Sequence, residues 1–252
     1  MSGNAPVPGW LSILGARLRF PHMSKVIAQL CISLDGCYAG PRDDEPNWFK
    51  SVEAPGFFRI TRWVTESMAW RDRQQLAGGE TNVNDEVIAE SFARPGAYVM
   101  GRRMFDGGER PWGEEPPFRN PVFVVTHRER EQLERLGGTS FTFVTDGLAS
   151  AIAQAKAAAG EKEVAIAGGG TMIKHALELG LLDELELHQV PVILGDGQRL
   201  LDVNIGAREG IELVPERMIH TPEVTHIRYR VEGRAPLVLD SRGGKYEGLA
   251  TT

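Results

Sequence analysis

Apolar positions along the chain alternate between short solid runs and stretches with helical spacing. Val26-Ile27-Ala28-Gln29-Leu30-Cys31-Ile32-Ser33-Leu34 is mostly apolar and closes at Asp35-Gly36, which reads as a buried first strand ending in a turn. Gly40 to Trp48 holds Pro41, Pro46 and the acidic cluster Asp43-Asp44-Glu45, so an exposed loop is expected there. Phe57, Ile60, Val64, Met68 and Leu76 recur at helical intervals, predicting one helix that Gly78-Gly79 would stop.

Strand-then-helix units follow. Ala97-Tyr98-Val99-Met100 leads into Gly101-Arg102-Arg103 as a short strand delivering its end to a loop or helix start. Pro121 to Val125 ends at Thr126-His127-Arg128, before a charged, helix-prone stretch from Glu129 to Leu136. Phe141 to Val144 precedes the Ala-rich helix Leu148 to Ala159. Glu163 to Ala167 ends at Gly168-Gly169-Gly170, and a helix over Thr171 to Leu179 closes at Gly180. Such alternation predicts an α/β fold of three layers, with a mostly parallel central sheet covered on both faces. Glu184 to Leu194 reads as a further strand, with Pro191 inside it. Ile211 to Val214 and Thr225 to Val231 read as an antiparallel pair joined by a longer connection, giving an antiparallel C-terminal edge. The expected organisation is an N-terminal extension at 1–22, one domain at 23–232 and a tail at 233–252.

Composition narrows the function. With 28 Lys+Arg against 34 Asp+Glu, the 252-residue chain carries a formal charge of −6 and has no basic block, which argues against nucleic acid as a partner. No apolar run approaches the length of a membrane span, and the basic residues Arg17 and Arg19 follow the short apolar patch at Trp10 to Leu14 rather than precede it, unlike a secretory leader. A cytoplasmic enzyme is the expectation. Cys31 and Cys37 match neither a CxxC pair nor a zinc knuckle, so free thiols and no metal are expected.

Binding sites in parallel sheets gather at the carboxyl ends of strands. Gly168-Gly169-Gly170-Thr171 stands between a strand and a helix, where bare backbone can approach a phosphate; the same glycines would also serve a sharp turn alone. Their spacing fits neither G-x-G-x-x-G nor a phosphate loop. Arg102 and Arg103 could grip a phosphate dianion, and Thr126-His127-Arg128 adds a hydroxyl, an imidazole and another cation.

Val99-Met100-Gly101-Arg102 followed by the Gly-Gly-Gly-Thr turn resembles the dihydrofolate-reductase-like superfamily. Ser33-Leu34-Asp35-Gly36, Gly180-Leu181-Leu182-Asp183-Glu184-Leu185 and Pro191-Val192-Ile193-Leu194-Gly195 narrow the likeness to the reductase domain of riboflavin biosynthesis and its stand-alone relatives, over Lys25 to Glu232. The resemblance implies an NADPH-dependent, homodimeric reductase of a small heterocyclic or carbonyl-type substrate. Gly101, Arg102 and Arg103 would hold the adenosine 2′-phosphate, Thr126 and Arg128 the adenine and its ribose, and Gly168, Gly169, Gly170, Thr171 and Met172 the pyrophosphate. Asp35, Gly36 and the loop to Gly40 would border the nicotinamide and the substrate. Asp35 is the candidate catalytic residue, for orienting substrate or relaying a proton, although its carboxylate would equally cap the Asp35-Gly36 turn. Trp48 is the candidate substrate contact. Where riboflavin reductases carry a glutamate before the glycines, this chain has Ala167. A folate-reductase activity and a non-catalytic nucleotide-binding role therefore stay open beside the ribosylaminopyrimidine reductase reading.

Overall fold

In the computed structural model, which describes residues 24–41, 55–200 and 210–232, β1 (Val26–Ser33) runs through the middle of a nine-stranded sheet. Val26 and Ala28 pack into one core and Ile27 into another, on opposite faces, as the two-residue period of a strand demands. Because both faces are covered, the run is apolar throughout. The expected extension at 1–22, the tail at 233–252 and Trp48 lie outside the described residues.

After β2 (Cys37–Ala39), the chain forms α1 (Pro55–Glu66), α2 (Met68–Arg73), α3 (Val83–Ala93), β3 (Pro95–Gly101), α4 (Arg102–Trp112), β4 (Pro121–Val125), β5 (Leu133–Glu134), β6 (Ser140–Val144), α5 (Leu148–Ala159), β7 (Glu163–Gly168), α6 (Gly170–Glu178), β8 (Glu184–Val190), β9 (Gln198–Arg199), β10 (Glu212–His220) and β11 (Thr225–Glu232). The large sheet has the order β10, β11, β8, β1, β7, β3, β4, β6, β5. Neighbours from β8 to β6 are parallel, while β10, β11 and β5 are antiparallel additions at the two edges. Helices α5 and α6 bury Ala151, Ala155, Ile173 and Ala176 against one face; α1, α3 and α4 bury Ile60, Ile88 and Phe105 against the other. This is the expected three-layer arrangement. No helix among the described residues is long and apolar enough to cross a membrane.

Four expectations need correction. The single helix from Phe57 to Leu76 is broken at Ser67, whose extended backbone (ψ 144°) interrupts it and whose hydroxyl accepts from Trp70 N–H to start α2. Glu80 bonds across the break to Glu66 and Met68. The stretch from Glu129 to Leu136 is not helical. It has charge but no apolar face to bury, so Arg130 pairs with Glu109 instead and Leu133–Glu134 turns back along β6. The strand beginning at Glu184 ends at Val190, one residue before Pro191, which cannot donate to the ladder. The C-terminal pair is longer than expected and joined by a tight turn at Thr221 to Val224, with a bulge beside Pro215 on the outermost strand. Helix α3 had no counterpart in the reading of the sequence. Asn82 caps it, accepting from Asn84 and Asp85 N–H, and Asp85 in turn accepts from Ala69 N–H at 2.6 Å, so it joins two helices rather than sitting in solvent.

Candidate active site

The parallel order β7, β3, β4 places the carboxyl ends of these three strands side by side. Gly168 to Met172, Gly101 to Arg103 and Thr126 to Arg128 therefore line one cleft of about 510 Å³, joined by Tyr38, Ala39 and Phe57. No Asp or Glu is among the lining residues. Two helices, α4 and α6, begin at this cleft on Gly101 and Gly169, and neither N-terminus has a side-chain cap. Their first N–H groups are thus left as donors for an anion, in the favourable field of the helix ends.

Each glycine of the run has its own reason. Gly168 stands at φ +131° with Met104 S close by, and its peptide bond to Gly169 is cis. A Cβ on Gly170 would lie inside the contact distance of the Tyr38 ring, which is pinned by its hydroxyl donating to Gln198 at 2.8 Å. A Cβ on Gly169 would meet no atom of the described residues beyond its chain neighbours within 4 Å: the space beside it belongs to the cleft.

The cations differ in how far they are committed. Arg102 donates to Asp106 at 2.6 Å and stacks near Phe105 and Phe143. Arg103 is exposed and donates to Gln198 at 3.0 Å. Arg128 is exposed, and its guanidinium has no partner among the described residues. Thr126 is buried, and its hydroxyl is shared with the backbone of Arg128 in their common turn.

Gly36 and Gly40 do not line the cleft; Tyr38 and Ala39 between them do. Gly36 takes φ +80° in the turn after β1. Gly40 backs onto Gly56 closely enough that a Cβ on Gly56 would approach its N at 2.8 Å. Asp35 lines neither this cleft nor the cavity beside it. Its carboxylate accepts from the Ser33 hydroxyl at 2.6 Å, Leu194 N–H at 3.1 Å and Gly195 N–H at 2.9 Å, which ties the first turn to the segment after β8. In this structure the Asp35 carboxylate caps the turn. These bonds, the Ser33 hydroxyl foremost, hold its pKa down to about 2 from an ordinary 3.8. A depressed carboxylate pKa means the tie is complete above the ordinary value and is lost as pH falls through about 2. Asp35→Asn is expected to speed amide hydrogen exchange at Leu194 and Gly195 while leaving the strand amides of β1 protected; unchanged exchange at both would show that the carboxylate holds nothing.

A second cavity, of about 230 Å³, adjoins the cleft and shares Leu30, Met104 and Ala167 with it. Aromatic side chains make up much of its wall: Trp63, Trp70, Phe92, Tyr98, Trp112 and Phe118. Cys31 and His188 are its other titratable lining groups. Burial pushes the Cys31 thiol up to about 12 against a contact with Trp63, so it is no thiolate. His188 Nδ1 lies 2.8 Å from His226 Nδ1, and burial lowers both imidazoles, His226 to about 4, leaving both neutral near pH 7. Both cysteines are free. No pattern in the sequence announces this cavity, because aromatic residues spread over four helices, a strand and a loop carry no common spacing.

Comparison with known proteins agrees with this geometry. Residues 24–209 match the RibD C-terminal domain. The chain belongs to the RibD C-terminal domain family. Among solved RibD-type structures, one named for riboflavin biosynthesis from Shewanella sp. PV-4 superposes with a TM-score of 0.56 at 19% identity, covering 82% of this chain and 99% of that one. A diaminohydroxyphosphoribosylaminopyrimidine deaminase/5-amino-6-(5-phosphoribosylamino)uracil reductase from Thermotoga maritima gives 0.51 at 13% identity, covering 82% of this chain and 56% of that one. At these identities the likeness is one of fold. An uncharacterized protein of Bacillus subtilis, YyaP, is 26% identical over 125 residues, 47% of this chain and 65% of that relative. Ala167 offers a methyl group where the cleft meets the second cavity.

Proposed function

We propose that this chain is an NADPH-dependent reductase that delivers hydride to a small heterocyclic or carbonyl-type substrate. One observation carries the reading: two uncapped helix N-termini, a glycine run and three arginines converge on a single cleft that adjoins a mostly apolar cavity at Leu30, Met104 and Ala167. The residues fit the cofactor. The open space over Gly169 and the N–H groups beginning α6 suit a pyrophosphate, and the arginines at the ends of β3 and β4 suit the additional phosphate that separates NADPH from NADH. When bound, NADPH would supply a hydride, which adds with its electron pair to a C=O or C=N carbon of the substrate while the π pair moves to oxygen or nitrogen and takes a proton from solvent. The protein's share is to orient the two partners at the junction, where the shared lining is apolar.

Calorimetric titration with NADPH and NADH tests the reading. NADPH is expected to bind and NADH to bind more weakly. Arg128→Ala, which removes an exposed guanidinium with no partner among the described residues, is expected to weaken NADPH roughly tenfold through one lost charge-assisted bond, and NADH much less. Absence of heat from both nucleotides would refute the reductase assignment, and equal losses for both would remove Arg128 from the phosphate site.

A further inference from the structure

The second cavity says what kind of substrate the reductase accepts. None of its lining residues is Asp, Glu, Lys or Arg. An anionic group entering it would shed its hydration without gaining a charged partner. The walls are flat rings held in fixed mutual orientations: Phe118 meets Tyr98 edge-on at 5.2 Å and Trp112 at 5.0 Å, while Trp63 meets His188 at 5.0 Å. Arg73 is committed to the Phe92 ring, 4.1 Å from its centroid, and to the Pro117 carbonyl at 2.7 Å, and it does not line the cavity. Size sets a second limit. An apolar cavity of about 150 Å³ holds one benzene, so 230 Å³ suits one or two fused rings and leaves no room for a ribosyl phosphate beside them.

Two polar atoms of this wall lack a hydrogen-bond partner among the described residues, Trp63 Nε1 and the Tyr98 hydroxyl, and only the hydroxyl belongs to the sheet that runs on to Ala167 and the cleft. Tyr98 is 4% exposed, and its hydroxyl has no hydrogen-bond partner among the described residues. A buried hydroxyl left in this state is costly to the fold and points to an acceptor supplied from outside. Burial holds the phenol pKa up to about 12 against the opposing charge of Arg73, so at working pH the group is a donor. Tyr98 pairs in register with Ala165 on β7, and Ala167, at the junction of the two cavities, is two residues further along that strand. A ring gripped by the aromatic wall would thus present its acceptor to Tyr98 while another edge faces the cleft.

We infer that the cavity takes an uncharged, flat substrate of one or two rings carrying one carbonyl or imine acceptor, which the Tyr98 hydroxyl reads. The inference rests on the reductase reading above, deepens it to a substrate class, and makes Tyr98 the specificity-determining residue.

Tryptophan fluorescence of the cofactor-free protein tests it, since Trp63, Trp70 and Trp112 all line the cavity. The probes are uncharged bicyclic carbonyl compounds, the same rings without the carbonyl, and a phosphoribosyl pyrimidine. Saturable quenching is expected from the carbonyl compounds, about tenfold weaker binding from the bare rings, and none from the phosphoribosyl compound. Tyr98→Phe is expected to bring the carbonyl affinity down to that of the bare ring, to leave bare-ring affinity unchanged, and not to lower the melting temperature, because the hydroxyl it removes satisfies nothing in the protein. Tighter binding of the phosphoribosyl compound, or undiminished carbonyl binding by Tyr98→Phe, would overturn the inference. NADPH heat measured on the same sample separates the two readings. Heat from NADPH with no quenching by neutral rings overturns this inference alone, whereas quenching without NADPH heat upholds the cavity's preference and overturns the reductase reading.

Discussion

Arg228→Met is expected to cost about 3–5 kcal/mol of folding stability and to lower the melting temperature by roughly 6–20 °C. Arg228 on β11 stands opposite Glu186 on β8 and donates to it at 3.0 Å, to Glu90 of α3 at 2.7 Å, and lies 3.2 Å from Glu184. The Glu186 side chain is 1% exposed and that of Glu184 5%. Arg217 retains Glu186 and Glu90, and Arg94 retains Glu184 and Glu163, so the network is an alternating lattice of carboxylates and guanidiniums. Removing its central cation strands buried charge, a larger penalty than the pair's net worth. The double variant Arg228→Met with Glu186→Met should therefore cost less than the single one, as denaturant unfolding would reveal; a single variant within 1 kcal/mol of the parent would contradict this account. Burial raises the pKa of Glu90, but bonds from Arg228 and Arg217 outweigh it and leave the group depressed. Its contribution is complete above the ordinary carboxylate range and disappears as pH falls through the lowered value. Glu163 and Glu184 sit at the amino ends of β7 and β8, whereas the cleft lies at the carboxyl ends of β7, β3 and β4. A folded Arg228→Met protein should bind NADPH as the parent does.

The division between what could and could not be read in the chain follows the range of each signal. Glycine and arginine at strand ends are local features, so Gly101, Arg102, Thr126, Arg128 and Gly168 to Met172 could be picked out by position. Their convergence depends on β7, β3 and β4 being neighbours, which comes from pairing between segments far apart in sequence. Asp35 stayed open between two roles in the sequence because a carboxylate in a turn looks the same whether it faces a ligand or backbone amides, and the Leu194 and Gly195 amides it accepts from come from a distant segment. Glu129 to Leu136 illustrates the weakness of propensity alone: without an apolar stripe, pairing of Leu133 and Glu134 with β6 prevailed. Tyr98 falls in the strand expected at Ala97 to Met100, but no pattern of residues shows that its hydroxyl goes unpaired among the described residues.

Gly169→Ala is expected to weaken NADPH by about 10- to 100-fold while leaving the fold intact. The two adjacent glycines of this turn differ in what an added methyl would meet. At Gly170 the added methyl would strike the Tyr38 ring, which Gln198 holds in place, so the cost falls on the protein: about 1–3 kcal/mol of overpacking strain, visible as a lower melting temperature with or without cofactor. At Gly169 the backbone is extended at φ −78° and ψ −178°, a conformation alanine adopts freely, and the methyl would meet nothing in the protein. It would protrude into the cleft where α6 begins, at the place assigned to the pyrophosphate. The same 1–3 kcal/mol is then charged to the ligand alone, a loss that the affinity scale converts to one or two powers of ten. Parent-like melting with reduced NADPH heat is the expected outcome for Gly169→Ala. Reduced melting with a smaller affinity change is expected for Gly170→Ala. Full NADPH affinity in a stably folded Gly169→Ala protein would mean that nothing approaches this backbone closely, and the cofactor would have to lie elsewhere in the cleft.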